Sequence, residues 1–321
     1  MVWKPATIST TDITGATEIP KTTEAHIPKW PLSTRVTHWC AAASWVVSLV
    51  LFRDALNSLA GLSLHDDRAS HILLIPVISG FLLYLERKRI FGTPRVRRQI
   101  GLALILLALV LWFTLKTRNS SVFAALIVLV WIATFIFWYG TDAFKAATFP
   151  LLFLGLMIPL PAVIAEHLVS VLQKGSAEVC YALFRFTGVP VVRQGLVFSL
   201  PGIDIEVAKQ CSGIHSALSL FIAGLLAEHV FLQGIRKKLA FTLLIVPIAI
   251  FKNAVRIVVI SWLGIYVDPG FFHGALHRQG GLPFSLLAIG MMGLLLWLLR
   301  NSTLVSRFKI FFRGLPAEAK P

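Results

Sequence analysis

Acidic side chains are scarce in this sequence: 15 Asp and Glu stand among 321 residues, half the number of Lys and Arg. Charged residues together make up 14% of the chain, hydrophobic residues 56%, and the mean hydropathy is +0.78. So little charge excludes a soluble enzyme, a coiled coil and a disordered scaffold. Cysteine is rare as well. Cys40, Cys180 and Cys211 are too few for a disulfide framework and lack paired metal-ligand spacing, although one of them could be reactive. There is no phosphate-binding glycine loop, no paired-carboxylate site and no convincing metal-ligand cluster, so no cofactor or metal is expected.

What the chain does have is apolar runs of roughly 17 to 25 residues, the length a helix needs to cross about 30 Å of hydrocarbon. Short segments of alternating polarity, the mark of an outer-membrane barrel, are not the pattern. The runs lie near 36–52, 71–85, 100–115, 122–138 and 144–160, then near 214–232, 239–263 and 282–299. They predict an all-α, polytopic membrane protein of about eight transmembrane helices. Residues 1–35 read as a flexible cytoplasmic tail without a removable signal peptide, 36–300 as one integral-membrane domain, and 301–321 as a basic cytoplasmic tail.

The net charge of +15 would point to nucleic acid in a soluble chain, but in a membrane protein it is first a topology signal, and no nucleic-acid partner is expected. With both termini cytoplasmic and the eight runs alternating, 19 Lys and Arg fall inside and 9 outside, with Lys252 and Arg256 within a span. The densest clusters, 87–98 and 236–238, both fall inside, which favours this orientation. The interval 161–210 is then external. Residues 162–186 carry apolar positions at helical spacing and read as an interfacial helix or a buried helix of an external domain. After the break at Gly188-Val189-Pro190, residues 191–207 alternate around Pro201-Gly202 and read as a short hairpin.

Three places carry candidate chemistry. Lys252, Asn253 and Arg256 lie within a span, with Lys252 and Arg256 one turn apart, and intramembrane ionisable groups often mark working sites; the plainer reading is a pair of cations reaching lipid phosphate. Cys211 stands at the start of the sixth run, where helix-terminal N–H groups favour a thiolate, with Ser212 and Gly213 supplying small residues and backbone donors for an oxyanion. The plainer reading is a small buried cysteine. His273 and His277 stand among glycines in the last external loop, as proton-transfer groups or as ordinary interfacial histidines. The predicted topology puts all three on one side of the membrane, and a thiolate, an imidazole and a guanidinium form a set for cysteine-dependent acyl transfer.

At these residues the sequence resembles the exosortase/archaeosortase membrane transpeptidases, over roughly 71–284. The resemblance is carried by Ser70-His71-Ile72-Leu73-Leu74-Ile75-Pro76, by Met157-Ile158-Pro159-Leu160-Pro161, by Val207-Ala208-Lys209-Gln210-Cys211-Ser212-Gly213-Ile214, by Asn253-Ala254-Val255-Arg256, and by His277 ahead of Gly280-Gly281. It implies a bacterial plasma (inner) membrane enzyme that cleaves exported proteins at a C-terminal sorting tail. Such a tail consists of a short motif, often Pro-Glu-Pro, a transmembrane helix and a basic cluster. By position, Cys211 is implied as nucleophile, Arg256 as carbonyl or oxyanion stabiliser and His277 as proton-transfer residue, with a thioester resolved by an acceptor whose identity the sequence does not reveal. His215, one turn after Cys211, is the second choice for the imidazole and His273 the third. The rival readings are a membrane lipid or glycan transferase, which needs no cysteine, and a transporter or export scaffold with Lys252 and Arg256 lining a path.

Overall fold

The computed structural model describes residues 32–66, 69–91, 98–115, 119–208, 213–272 and 281–301. Cys211, Ser212, His273 and His277 lie outside them, as do most of the two predicted tails.

The chain is built from helices, as its apolar runs require. Helix α1 (Leu32–Leu51) turns at Phe52 into α2 (Arg53–His65), the two axes differing by 74°. The short α3 (Leu74–Leu85) is followed by the single turn α4 (Arg87–Ile90), then by α5 (Arg98–Leu115) and α6 (Ser120–Ala146). Gly140, at φ +84°, interrupts α6 with a kink. Next come the short α7 (Thr148–Phe153), a 3-10 turn (Leu154–Met157) and α8 (Ala162–Phe186), at 92° to the preceding pair.

Three strands follow, β1 (Val192–Gln194), β2 (Val197–Leu200) and β3 (Ile203–Glu206), forming an antiparallel meander in which Gln194 faces Val197 and Leu200 faces Ile203. The chain closes with α9 (Ile214–Phe231), the 32-residue α10 (Ile235–Tyr266) and α11 (Gly281–Arg300).

Among the described residues five helices, α5, α6, α9, α10 and α11, are long and apolar enough to cross a membrane, or seven spans if each bent pair counts as one. The polytopic helical fold stands, with fewer full-length helices than the eight apolar runs. Two runs differ in detail. The stretch 71–85 gives a helix of only 12 residues. The stretch 144–160 is not one helix, because α6 continues to Ala146 and the remainder divides into α7, the 3-10 turn and an extended link through Ile158.

Helix α8 has the predicted bounds, and the single predicted hairpin is two hairpins in series, with a second turn at Gly195 (φ +64°). Its buried positions, Val169, Leu172, Gln173, Ser176, Ala177, Cys180 and Phe184, recur at three and four residues and form one face.

That face meets α10. Gly175 has no side chain to hold the helices apart, and a Cβ there would fall 2.7 Å from Ile250 Cδ1. Ser176, Ala177 and Cys180 are each 0% exposed, so the contact is the small-residue packing that lets membrane helices approach closely. The apolar core divides accordingly: one cluster joins α1 to α7 with Ile222 of α9, a second joins α8, the sheet and α10, and a third joins α9, α10 and α11. Only α10 belongs to both of the last two.

Candidate functional site

Helix α9 begins at a left-handed residue. Gly213 has φ +71°, a conformation that costs other residues roughly 1–2 kcal/mol. Its carbonyl accepts from Ala217 N at 2.8 Å and from Ser216 Oγ at 2.9 Å, closing the first turn. A Cβ at this position would fall 2.9 Å from Asn253 Oδ1, so glycine is required both by the backbone and by the neighbouring helix.

Asn253 is 2% exposed and its Nδ2 donates to Ser176 Oγ on α8 at 3.0 Å. One carboxamide therefore touches α8 and the entry to α9. Lys252, beside it in sequence, is 3% exposed and donates from Nζ to Ser216 Oγ at 2.5 Å. The ammonium faces the protein interior rather than lipid, which removes the lipid-phosphate reading for this residue. Arg256 follows one turn later on the same helix, half-buried.

The other flank of residues 209–212 is fixed too. Gln173 Nε2, buried on α8, donates to the Val207 carbonyl at 2.8 Å, while Val207 N donates to Leu196 O and Ala208 N to Glu206 O. The segment that carries Cys211 thus leaves a strand tied to α8 and enters a helix tied to α10. Cys180, the other cysteine in this region, is a free thiol with its Sγ 3.6 Å from the Ala254 carbonyl.

His215 is exposed in the first turn of α9. It lines a cavity of about 220 Å³ together with His71, Asp66, Pro159, Leu160 and Ile214. The His71 ring lies within hydrogen-bonding reach of the Leu156 backbone and in the electrostatic field of His215. At the other ends of the same two elements, His229 Nε2 meets Glu86 Oε1 at 2.7 Å, and the His229 ring stacks on Phe149 at 3.7 Å between centroids. With contacts at both ends, α3 and α9 run in the same direction. The basic groups Arg87–Arg89 and Arg236–Lys238 adjoin the Glu86–His229 end, and the site residues adjoin the other.

Of the residues singled out in the sequence, Gly213, Asn253 and the α9 start carrying His215 are brought together, with Arg256 one turn beyond Lys252. Sequence reasoning did not find Ser176 or Ser216, since each shares its helix with another serine and neither belongs to a motif, and it passed over His71 as part of an apolar motif. Among the described residues no group of three or more His, Cys, Asp or Glu is placed to hold a metal ion.

A helical membrane protein with buried polar groups gathered at one helix start is the class that fold and site define. The family described as "Transmembrane exosortase (Exosortase_EpsH)" matches residues 63–301, and the chain belongs to that family. No curated protein and no solved structure matches it. Membership carries a general role in protein sorting by transpeptidation at a membrane.

Proposed function

We propose that this protein cleaves the C-terminal sorting tails of exported proteins by cysteine-dependent acyl transfer, with Cys211 as nucleophile, Arg256 as oxyanion stabiliser and His277 as the proton-transfer residue. The thiolate adds to the scissile carbonyl and the negative charge develops on its oxygen, where a guanidinium stabilises it. Collapse expels the tail as an amine, which takes its proton from the imidazolium and leaves a thioester. An acceptor nucleophile or water then attacks the thioester, the imidazole removes its proton, and Cys211 is regenerated.

The observation that carries this reading is the anchoring of both flanks of residues 209–212, through Gln173 to Val207 and through Asn253 and Ser216 to Gly213. Acyl transfer gains most when the nucleophile is held in near-attack geometry, and Arg256 extends from the helix that bears one of those anchors. The basic loop clusters adjoin the opposite end of α3 and α9. By the positive-inside rule that end is cytoplasmic and the Gly213 end external, so the substrate motif is met at the external face of the plasma (inner) membrane while the basic end of the tail stays inside. The substrate partner is a tail with a short motif of the Pro-Glu-Pro type, a transmembrane helix and a basic cluster.

The test is processing in cells of a reporter bearing such a tail, with wild type, Cys211→Ala, Arg256→Ala and His277→Ala at matched membrane levels. Loss of cleavage in all three is expected. Cleavage by Cys211→Ala equal to wild type would defeat the thiol mechanism and move the transferase and transporter readings ahead. His215 is the second candidate for the imidazole, favoured by its place in the first turn of α9 and in the His71 cavity. Loss in His215→Ala with retention in His277→Ala would transfer the role to it.

A further inference from the structure

Helices α1 and α3 leave a space between them. Helix α1 packs chiefly on α6, and α3 on α7 and the 3-10 turn. Between α1 and α3 lies a cavity of about 320 Å³, lined among others by Trp45, Pro76, Gly80, Leu83, Trp131 and Leu154. Gly80 keeps it open, since a Cβ there would meet nothing within 4 Å. Ser79 turns its hydroxyl to the Pro150 carbonyl at 2.7 Å, Trp131 donates from Nε1 to Ser48 Oγ at 2.9 Å, and the Trp45 Nε1 is buried below the surface. The walls therefore present carbon. Beside the cavity Val46, Val77 and Phe81 are exposed, so in a membrane it opens toward hydrocarbon.

One end of this groove is basic. Pro76, Gly80, Leu83 and Arg87 stand at i, i+4, i+7 and i+11, a single helical face, and the bond from Ile90 N to the Glu86 carbonyl carries the helical path across the junction of α3 and α4. The Arg87 guanidinium donates to the Tyr84 carbonyl at 2.9 Å and stands 4.0 Å over the exposed Tyr84 ring. Tyrosine and cations together mark a membrane–water boundary. Lys88 and Arg89 follow, both exposed. Glu86, the carboxylate of this turn, meets His229 at 2.7 Å and Arg89 at 3.7 Å, which leaves the turn with a net positive charge.

From Arg87 to Pro76 the helix rises about 17 Å at 1.5 Å per residue, close to half of the roughly 30 Å hydrocarbon layer. The groove thus has the depth of one leaflet, with cations at its mouth. A transmembrane helix would need a track across both leaflets, and the basic end of the proposed sorting tail would meet Arg87–Arg89 as like charge. A phospholipid matches in depth and in charge. We infer that the groove is a binding site for one anionic phospholipid, an acyl chain lying between α1 and α3 along Pro76, Gly80 and Leu83 and the phosphate meeting Arg87 and Lys88. The inference does not depend on the acyl-transfer chemistry proposed above.

The test titrates the full-length protein, purified in detergent and stripped of lipid, with phosphatidylglycerol, and counts bound lipids by native mass spectrometry. One lipid should bind more tightly than those that follow. Gly80→Leu, which puts a side chain into the groove, should weaken that first lipid about tenfold. Arg87→Gln should weaken it about fivefold, the effect of one cation at an anionic surface. Gly290→Leu adds the same bulk at an exposed, equally open glycine of α11 and should change nothing. Phosphatidylcholine, which has a phosphate but no net charge, should bind more weakly than phosphatidylglycerol. Unchanged binding in Gly80→Leu overturns the inference, as do equal losses in Gly80→Leu and Gly290→Leu or equal affinity for the two lipids. Unchanged lipid binding in Gly80→Leu together with impaired processing of the reporter would give the groove to the substrate's helix, and overturns it as well.

Discussion

The side-chain oxygen of Asn253 occupies the space beside Gly213, 2.9 Å from where a Cβ would lie, so position 213 accepts no side chain without displacing the carboxamide. Two residues 40 positions apart, on consecutive helices, are registered against each other at that point, and the register sets how the backbone enters α9.

Gly213→Ala should therefore lose function by two routes, the left-handed backbone costing about 1–2 kcal/mol and the clash with Asn253. Reporter processing at matched expression is expected to fall at least about tenfold, as 1.4 kcal/mol of misplacement would give. Adding Asn253→Ala removes the clash but not the strain, so the double variant should lose less than the sum of the two single losses. Additive losses would dissociate the two residues.

Ser176→Ala takes away the hydroxyl that accepts from Asn253 Nδ2 in a fully buried contact. Loss of that buried hydrogen bond should cost about 0.5–1.5 kcal/mol, visible as a lower thermal midpoint in detergent. Ser219→Ala is the control: its exposed hydroxyl bonds only its own helix, at the His215 carbonyl, and a change within about 0.5 kcal/mol is expected.

At the far end of α3 and α9, His229 and Glu86 form a contact whose disruption should affect stability more than chemistry. His229→Leu removes both the 2.7 Å bond and the face-to-face stack on Phe149. Thermal stability should drop by about 1–3 kcal/mol, while processing at low temperature stays near wild type because the site lies at the opposite end. A large loss of processing without loss of stability would contradict this separation.

The sheet is clamped to α8 by Arg193, which makes two bonds to the Glu178 carboxylate at 2.7 and 2.8 Å. The guanidinium, through its hydrogen bond, holds the Glu178 carboxyl below the usual carboxylate range. A depressed carboxyl stabilises the fold above its unfolded value and loses that contribution as pH falls through its folded value. Limited proteolysis in the β1–β2 turn should accelerate on acidification below the usual carboxylate range. Glu178→Gln should be cleaved faster at neutral pH and lose most of that acid dependence.

How far the sequence revealed all this depended on whether the deciding contact was local. Helix α8 was legible to the residue because Pro161 and Gly188 bracket it and its apolar positions repeat at helical spacing. The continuation of α6 to Ala146 was not, since Trp138-Tyr139-Gly140-Thr141-Asp142 reads as a polar gap between two apolar runs, whereas the helix passes through it with a kink at Gly140. Helix α2 escaped because Arg53, Asp54, Asn57 and His65 dilute its apolar face. Lys252 was legible as an unusual residue, but which way it faced depended on a hydroxyl 36 positions away in sequence. Ser216 is an ordinary letter until α9 and α10 are side by side, and Asn253, marked by its motif, shows what it touches only then.

Helix α10 extends over 32 residues, about 48 Å at 1.5 Å per residue, well beyond the 30 Å or so of a hydrocarbon layer. A helix of that length meets thicker or thinner bilayers by tilting. Both supports of the segment 209–212 lean on it, one directly through Asn253 and one through α8, which packs closely against the same helix. Tilting therefore carries the two supports together and leaves the gap between them nearly constant, like the piers of a bridge set on a single raft. Turnover should accordingly change little between vesicles of shorter and longer acyl chains, even where the helix itself is measurably re-inclined.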